Sequence, residues 1–158
     1  MATDTESLIE LAPDQLEKLE GAMLREGTIK VECPVVHGFA PGIYVRECMI
    51  PAGTLAIGHS HRTEHLNMML KGRMSLLMDG KVKQIGAPLV FMSSPGTRKV
   101  AYVHEDALFL TIHPTSETDI PKLEELLIEK SDTFNLHQAT LEAEALKSAL
   151  IQPQTGES

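Results

Sequence analysis

The feature that most constrains the fold of this chain is a series of short β-rich segments between residues 28 and 113, separated by turns. Gly, Pro and Asp residues punctuate the series, for example at Pro41-Gly42 and at Pro51-Ala52-Gly53. Many short strands with a turn roughly every 8–12 residues are typical of a β-sandwich or a β-barrel. Because the chain has only 158 residues, the sequence predicts one mainly β domain, built as a single small barrel.

Nine strands are expected, each a segment in which β-branched or apolar residues alternate or cluster. They cover residues 28–36, 43–50, 55–58, 66–70, 73–78, 81–85, 89–92, 99–103 and 107–113. The first two would form a hairpin centred between Ala40 and Pro41, which places Cys33 opposite Cys48. These two cysteines are too few for a disulfide framework, and both are expected to stay reduced.

Helical patterning flanks the predicted barrel. Apolar residues recur at helical spacing over residues 7–26 and about 139–151, and Asp119 with Pro121 indicates the start of another helix. Acidic residues such as Glu20 are expected on solvated helix faces. The expected organisation is an N-terminal helical extension (1–27), the barrel (28–115), C-terminal helices (116–151) packing on the barrel or a partner, and a disordered tail (152–158). Leucine stripes that one small barrel can only partly cover predict a homodimer or larger assembly.

Composition and charge narrow the possible functions. The net charge is −8 and no run of basic residues exceeds Arg98-Lys99, which disfavours nucleic-acid binding. No apolar run approaches the roughly 18–20 residues of a membrane-spanning helix. The polar start of the sequence, Met1–Ser7, lacks the features of a signal peptide. The expected compartment is therefore the cytoplasm.

Three of the seven histidines, His59, His61 and His65, lie within seven residues, and all three have odd numbers. Successive side chains of a strand alternate between faces, so the three imidazoles can point the same way. The alternative is a set of exposed or hydrogen-bonded histidines on a sheet face. Three neutral imidazoles facing inward suit a metal ion better than a core, and they leave coordination positions open for water or substrate. We therefore predict one divalent metal ion at this site, and the residues do not distinguish Fe, Ni, Mn and Zn.

The stretch 53–72 resembles the first motif of the cupin superfamily, in which a Gly is followed by His-X-His, an acidic ligand and a second Gly. Gly53, His59, His61 and Gly72 match its spacing. A second likeness, over 86–96, is weaker because Pro95 adjoins Gly96 where the family usually has one residue between. The resemblance covers roughly residues 31–113 and implies a cupin-type barrel, a double-stranded β-helix or jelly roll.

Two positions depart from the family pattern. The position of the acidic ligand falls on His65, and alternation points the neighbouring Glu64 away from the histidines. The position of the last His ligand falls on Lys99, and a protonated lysine is repelled by a dication. A fourth ligand is therefore missing or comes from elsewhere, with His113 preferred to His104.

The resemblance implies a reaction of dioxygenase or isomerase type, at the three-His metal, on a small anionic molecule. Lys99, Arg98 and Asn67 are the expected substrate contacts, with Lys99 as an anion anchor at the pocket mouth. The alternatives are a non-catalytic module that binds or sequesters a small molecule, and a structural or assembly protein. The chain also looks like the small cupins encoded by tailed phages, which would place it in a host cytoplasm or a virion. No catalytic residue is assigned, and the sequence leaves open whether the protein is an enzyme.

Overall fold

The computed structural model describes residues 13–151, so the predicted disordered tail and residues 1–12 lie outside the described part of the chain. The expected mainly β architecture with flanking helices is confirmed. In chain order the elements are α1 (Pro13–Leu24), β1 (Val35–Ala40), β2 (Ile43–Ile50), β3 (Leu55–Ile57), β4 (Ser60–His61), β5 (His65–Met78), β6 (Lys81–Gly86), β7 (Leu89–Ser93), β8 (Val100–Pro114), α2 (Ile120–Leu127), β9 (Ile128–Glu129) and α3 (Asp132–Ile151).

Two long antiparallel strands, β5 and β8, organise the main sheet. The outer edge of β8 pairs with β3 along its first part and with β2 along its second part. The outer edge of β5 pairs with β7 along its first part and with β6 along its second part. The sheet therefore has two halves, β1-β2-β8-β5-β7 and β3-β8-β5-β6, which share the two long strands.

The two halves fold over one another at Gly72. The pairing of β5 with β8 shifts register between Met69 and Met74, as in a β-bulge, which bends a strand. Gly72 has φ +94°, and a Cβ there would lie 2.5 Å from the carbonyl oxygen of Asp106. Side chains from both halves then meet in one buried cluster, as expected for a small barrel. Its members are Met69, Met74, Leu76, Ala101, Val103 and Ala107.

Side chains that point into the barrel form rows across β2, β8, β5 and β7, because strand neighbours face the same side. The rows change from polar to apolar along the barrel. In order they are Tyr44, His113, His65 and Ser93; then Arg46, Thr111, Asn67 and Phe91; then Cys48, Phe109, Met69 and Leu89. The polar end therefore supplies imidazole, hydroxyl and amide groups that a functional site can use.

Several predicted element bounds are wrong, and for physical reasons. The segments 66–70 and 73–78 form one strand, as do 99–103 and 107–113, because the bulge at Gly72 bends the ladder without ending it. The first strand is β1 rather than 28–36, because the hairpin turn is Pro41-Gly42 and pairing starts beside it. Cys48 consequently pairs with Val35, so the predicted pairing with Cys33 is wrong by two residues, although both thiols are free.

The C-terminal segments differ in how they contact the barrel. Leu123 and Leu127 of α2 are buried against Tyr44, which lies on the inner face of β2. The short strand β9 pairs with β4 and so crosses the loop that carries His61. Helix α3 contacts α1 and buries none of its side chains. Within residues 13–151, no helix combines the length and apolar character needed to cross a bilayer.

Candidate functional site

Three imidazoles meet at the polar end of the barrel, and each comes from a different strand. The ring centroid of His61 (β4) lies 4.2 Å from that of His65 (β5) and 5.2 Å from that of His113 (β8). The centroids of His65 and His113 are 4.8 Å apart. His65 and His113 are each only 1% exposed. We call these three residues the histidine cluster.

Burial keeps the imidazoles of the histidine cluster neutral. Burial, with the neighbouring His65 and the Lys99 ammonium, lowers the pKa of His61 to about 3. Burial, with the same two neighbours, lowers the pKa of His113 to about 4. Burial also lowers the pKa of His65, against a hydrogen bond between its Nδ1 and the Thr63 carbonyl oxygen (3.1 Å) that acts to raise it. Near neutral pH the cluster therefore offers ring lone pairs rather than positive charge.

Lys99 lies directly against this cluster. Its Nζ is 3.3 Å from Nε2 of His65, which accepts a hydrogen bond because Nδ1 of the same ring donates to Thr63. Burial lowers the pKa of Lys99 to about 8, although the Asp79 carboxylate acts to raise it. The sequence predicts Lys99 at the mouth of the pocket, and the structure places its ammonium further in, beside an imidazole.

His59 does not join the histidine cluster. Its ring packs edge-on against Phe134 of α3, with centroids 4.7 Å apart. Alternation would bring His59 and His65 to one face only along an unbroken strand, and β4 contains only Ser60 and His61. The structure therefore brings together two of the three predicted ligands and adds His113. Glu64 is exposed whereas His65 is buried, as alternation predicts.

The chemistry of the donors suits a divalent metal better than their present arrangement does. Nδ1 of His61 and Nδ1 of His113 are buried and have no hydrogen-bond partner, so each is free to bind a metal ion or a polar ligand. The Lys99 ammonium, however, donates a hydrogen bond to Nε2 of His65, so the lone pair of that nitrogen is already used. Within residues 13–151, no group of three or more His, Cys, Asp or Glu side chains meets the geometry of a metal site.

A cavity of about 230 Å³ opens between β2 and β3 and extends to His61 and Lys99. We call it the polar cavity. Apolar side chains of the core form its floor, and Arg46 lies in its wall. None of its lining residues carries a carboxylate, so Arg46 and Lys99 are its charged groups when its thiols and imidazoles are neutral. Sequence reasoning missed Arg46; the signal was an arginine sharing alternation parity with Cys48 and Ile50.

Arg98, predicted to contact substrate, does not line the polar cavity, and structural partners hold it beside Gly58, which does. Its Nη2 lies 2.5 Å from Oε1 of Glu20, and its Nε donates to the Gly58 carbonyl oxygen (2.9 Å). Oε2 of Glu20 accepts a hydrogen bond (2.6 Å) from Ser131, the N-cap residue of α3. The expectation that Glu20 lies on a solvated face is wrong, because it is 5% exposed. Burial would raise the pKa of Glu20, but Arg98 and Ser131 hold it below the ordinary value.

Asn67, the remaining predicted contact, is fully buried in the row that contains Arg46. Its Nδ2 donates to Oγ of Ser93 (2.8 Å) and to the Phe91 carbonyl oxygen (3.3 Å). Its Oδ1 has no partner, and neither does Oγ1 of the adjacent Thr111. The polar rows thus keep hydrogen-bonding capacity that the described protein atoms leave unused.

Comparison with known proteins returns likeness in structure. No family model matches the sequence, and no curated protein sequence does either. The structure is similar to KdgF from Halomonas sp. (15% identity, 56% of this chain and 87% of that chain, TM-score 0.46). It is similar to a predicted oxalate decarboxylase from Thermotoga maritima (17%, 54% and 83%, 0.47). It is also similar to a cupin protein from Bacteroides fragilis (18%, 60% and 86%, 0.44). At these identities the likeness concerns the fold alone.

Proposed function

We propose that the protein binds a small anionic organic molecule in the polar cavity, with Arg46 and Lys99 holding the anion. One observation carries this proposal: within residues 13–151, every buried side-chain N or O atom without a hydrogen-bond partner lies in the polar cavity or the polar rows beside it. These atoms belong to His59, His61, Asn67, Thr111 and His113. Buried polar atoms are rarely left unpaired, and a polar ligand would supply the missing partners.

The charge of the polar cavity selects an anion. Two cations without a carboxylate among the lining residues are costly to keep in a half-buried site, and a bound anion offsets that cost. The floor of the cavity is apolar, so the ligand needs an apolar part as well as its anionic group. The volume is below the roughly 300–1,000 Å³ of pockets for drug-sized ligands, which indicates a molecule of metabolite size.

The proposal is tested by calorimetry with a panel of small carboxylates and phosphates, each paired with its neutral amide or ester. Mass spectrometry of any small molecule that co-purifies with the chain would supply the physiological ligand. An acid in the panel should bind at least about tenfold more tightly than its neutral counterpart, the effect of one charge-assisted hydrogen bond. Arg46→Met should remove the preference, and Arg73→Met, at an exposed ion pair, should keep it. Equal affinity for acids and neutral counterparts would overturn the proposal.

A divalent metal beside this ligand is a second candidate, favoured by the buried, unpartnered ring nitrogens of His61 and His113. His61, His65 and His113 would hold it, and a metal there would act as a Lewis acid toward an oxygen of the ligand. Reaction of dioxygenase or isomerase type stays a prediction, and turnover of a bound ligand would separate an enzyme from a binding module.

Metal content of protein purified without a His tag, after growth with Fe, Ni, Mn and Zn, tests this candidate. His61→Ala, His65→Ala and His113→Ala should each lower the metal content sharply. His104→Ala is the matched control, because His104 bonds to Ser75 away from the cluster. Loss of metal in His59→Ala but not in His113→Ala would favour the ligand set predicted from sequence. A full equivalent of tightly bound metal in the variant that combines His61→Ala, His65→Ala and His113→Ala rejects both ligand sets.

We also propose that the chain forms a homo-oligomer. Helix α3 buries none of its side chains, and Leu136, Leu146 and Leu150 are between 62% and 77% exposed. Monomeric soluble proteins rarely expose large apolar patches, and such a patch is usually covered by a partner chain. Sedimentation at micromolar concentration should give at least twice the mass of one chain. A monomer mass would contradict this proposal and leave the ligand site untouched.

A further inference from the structure

The barrel has a second open side, which no part of the proposed function uses. Strands β6 and β7 both pair with β5 and, within the described residues, not with each other. Between them lies a cavity of about 520 Å³, larger than the polar cavity. We call it the hairpin cavity because the β5-β6 hairpin, with its turn at Asp79-Gly80, forms one wall. Strand β7 forms the opposite wall.

Two lysines of this cavity stand where a packed barrel would have apolar residues. Lys83 pairs across the hairpin with Leu76, a core residue that is 4% exposed, and Lys81 pairs with Met78. Paired residues of a ladder share a face, so both lysines project from the core-facing side of β6. Neither forms an ion pair within residues 13–151. Asp79 is the one acidic side chain in the lining, and the balance of charge is positive.

The remaining lining is apolar. Ile85, Leu89 and Phe91 are only partly buried, and they pack against the core cluster beneath them. Apolar side chains that face a water-filled cavity gain free energy when an apolar group displaces the water. A ligand that satisfies the whole site therefore combines an apolar chain with an anionic head.

We propose that the hairpin cavity binds an amphipathic anion, whose apolar chain lies against Leu89 and Phe91 and whose head group is held by Lys81 and Lys83. The hairpin cavity differs from the polar cavity in its cations, Lys81 and Lys83 in place of Arg46 and Lys99, and the two cavities share one lining residue, Leu76. The lysine stems extend the apolar wall, and their ammonium groups stay in water at the rim. Because solvent screens the charge of exposed lysines, their attraction for an anion is modest. Ligand affinity therefore depends on the apolar chain as well as on charge.

The probe is decanoate below its micellar concentration, with 1-decanol and decyltrimethylammonium as chain-matched neutral and cationic probes. Calorimetry should show decanoate binding at least about tenfold more tightly than decyltrimethylammonium, and the Lys81→Met/Lys83→Met double variant should remove this difference. Lys71→Met, an exposed lysine of β5 outside the cavity, is the matched control. Asp79→Asn should tighten decanoate binding.

The location of the probe is read from backbone amide shifts, which decanoate should change in β6 and β7. Arg46→Met, which should remove the preference of the polar cavity for an anion, should leave decanoate affinity unchanged. If Arg46→Met weakens decanoate and the double lysine variant does not, the anion occupies the polar cavity and the hairpin site is rejected. Absence of decanoate binding, or equal affinity for the cationic probe, also overturns the proposal. None of these outcomes depends on the proposed function being right.

Discussion

The two open sides of the barrel place their cationic groups in opposite environments. In the polar cavity, Lys99 is half-buried beside an imidazole, and burial lowers its pKa to about 8. In the hairpin cavity, Lys81 and Lys83 are exposed at the rim. All the buried polar atoms without partners in residues 13–151 lie at the polar end, and none lies in the hairpin cavity. Burial therefore makes the charges of one cavity depend on a ligand, whereas solvent stabilises those of the other.

The largest effect should come from Gly72, because both cavities depend on the fold between the sheet halves. Gly72→Ala places a Cβ 2.5 Å from the Asp106 carbonyl oxygen and 2.7 Å from Cα of Ala107, at φ +94°. Backbone atoms cannot move aside as a flexible side chain can. We expect a loss of more than about 4 kcal/mol in the free energy of unfolding, measured with urea.

Gly86→Ala is the matched control for that variant. Its Cβ would meet nothing closer than 3.9 Å, and its φ is not in the left-handed region. We expect its unfolding free energy to stay within about 1 kcal/mol of the wild type. Similar stabilities for the two variants would show that Gly72 does not join the sheet halves as described.

The next effect should be confined to the buried ion pair between Arg98 and Glu20, which lies beside Gly58 of the polar cavity. Arg98→Ala leaves the buried carboxylate of Glu20 with Ser131 as its remaining partner. Removing one partner of a buried pair costs about 3–5 kcal/mol of stability. Arg73→Ala breaks an exposed pair with Glu105 and should cost less than about 1 kcal/mol.

A double variant sharpens this test. Glu20→Gln combined with Arg98→Ala removes both charges, so its cost should be smaller than the sum of the two single variants. Decanoate binding in the hairpin cavity should survive in every variant that still folds. Additive costs, or loss of decanoate binding, would contradict a network confined to the polar side.

Sequence reasoning predicted the barrel well because alternation and turn residues are local signals. Gly72 was singled out by its place in the motif, and the structure gives the physical reason, a bulge that only glycine fits. Strand bounds were less predictable, since a bend at Gly72 and a turn look alike in one dimension. The buried position of Glu20 was not predictable from a helix face, because its partner Arg98 is 78 residues away along the chain.

The histidine site was predicted in part. His61 and His65 follow from alternation, and His113 was the preferred additional ligand, but the separation of His59 from the cluster depends on where β4 ends. That end is fixed by the pairing of β4 with β9, from a segment about seventy residues later. The alternation of odd and even positions within a strand carries no information about that pairing. The same alternation could have identified Arg46, which shares its face with Cys48 and Ile50.

A moderate effect should separate the two cavities by pH. The Lys99 ammonium loses its proton as pH rises through about 8, so the affinity of the polar cavity for an anion should fall above that pH. Lys99→Met should weaken anion binding by about 1.5–3 kcal/mol at pH 7, abolish this pH dependence and leave metal content at least as high. Decanoate binding should not change over the same interval. An anion affinity in the polar cavity that is constant from pH 7 to pH 9 would show that Lys99 does not hold the anion.

The smallest effect concerns acid and again affects only the polar end. His113 has a pKa of about 4 in the folded chain, against about 6.5 for an ordinary histidine. Below pH 6.5 His113 therefore binds a proton in the unfolded chain but stays neutral in the folded chain, and stability falls as pH drops toward 4. Between pH 7 and pH 5.5 this one group should lower the free energy of unfolding by about 1 kcal/mol.

His113→Gln, measured by urea unfolding with a chelator present, should show a shallower loss of stability with falling pH than the wild type. His104→Gln, outside the cluster, should keep the wild-type slope. Equal slopes in all three proteins would mean that His113 is solvated, and the buried histidine cluster would then be wrong.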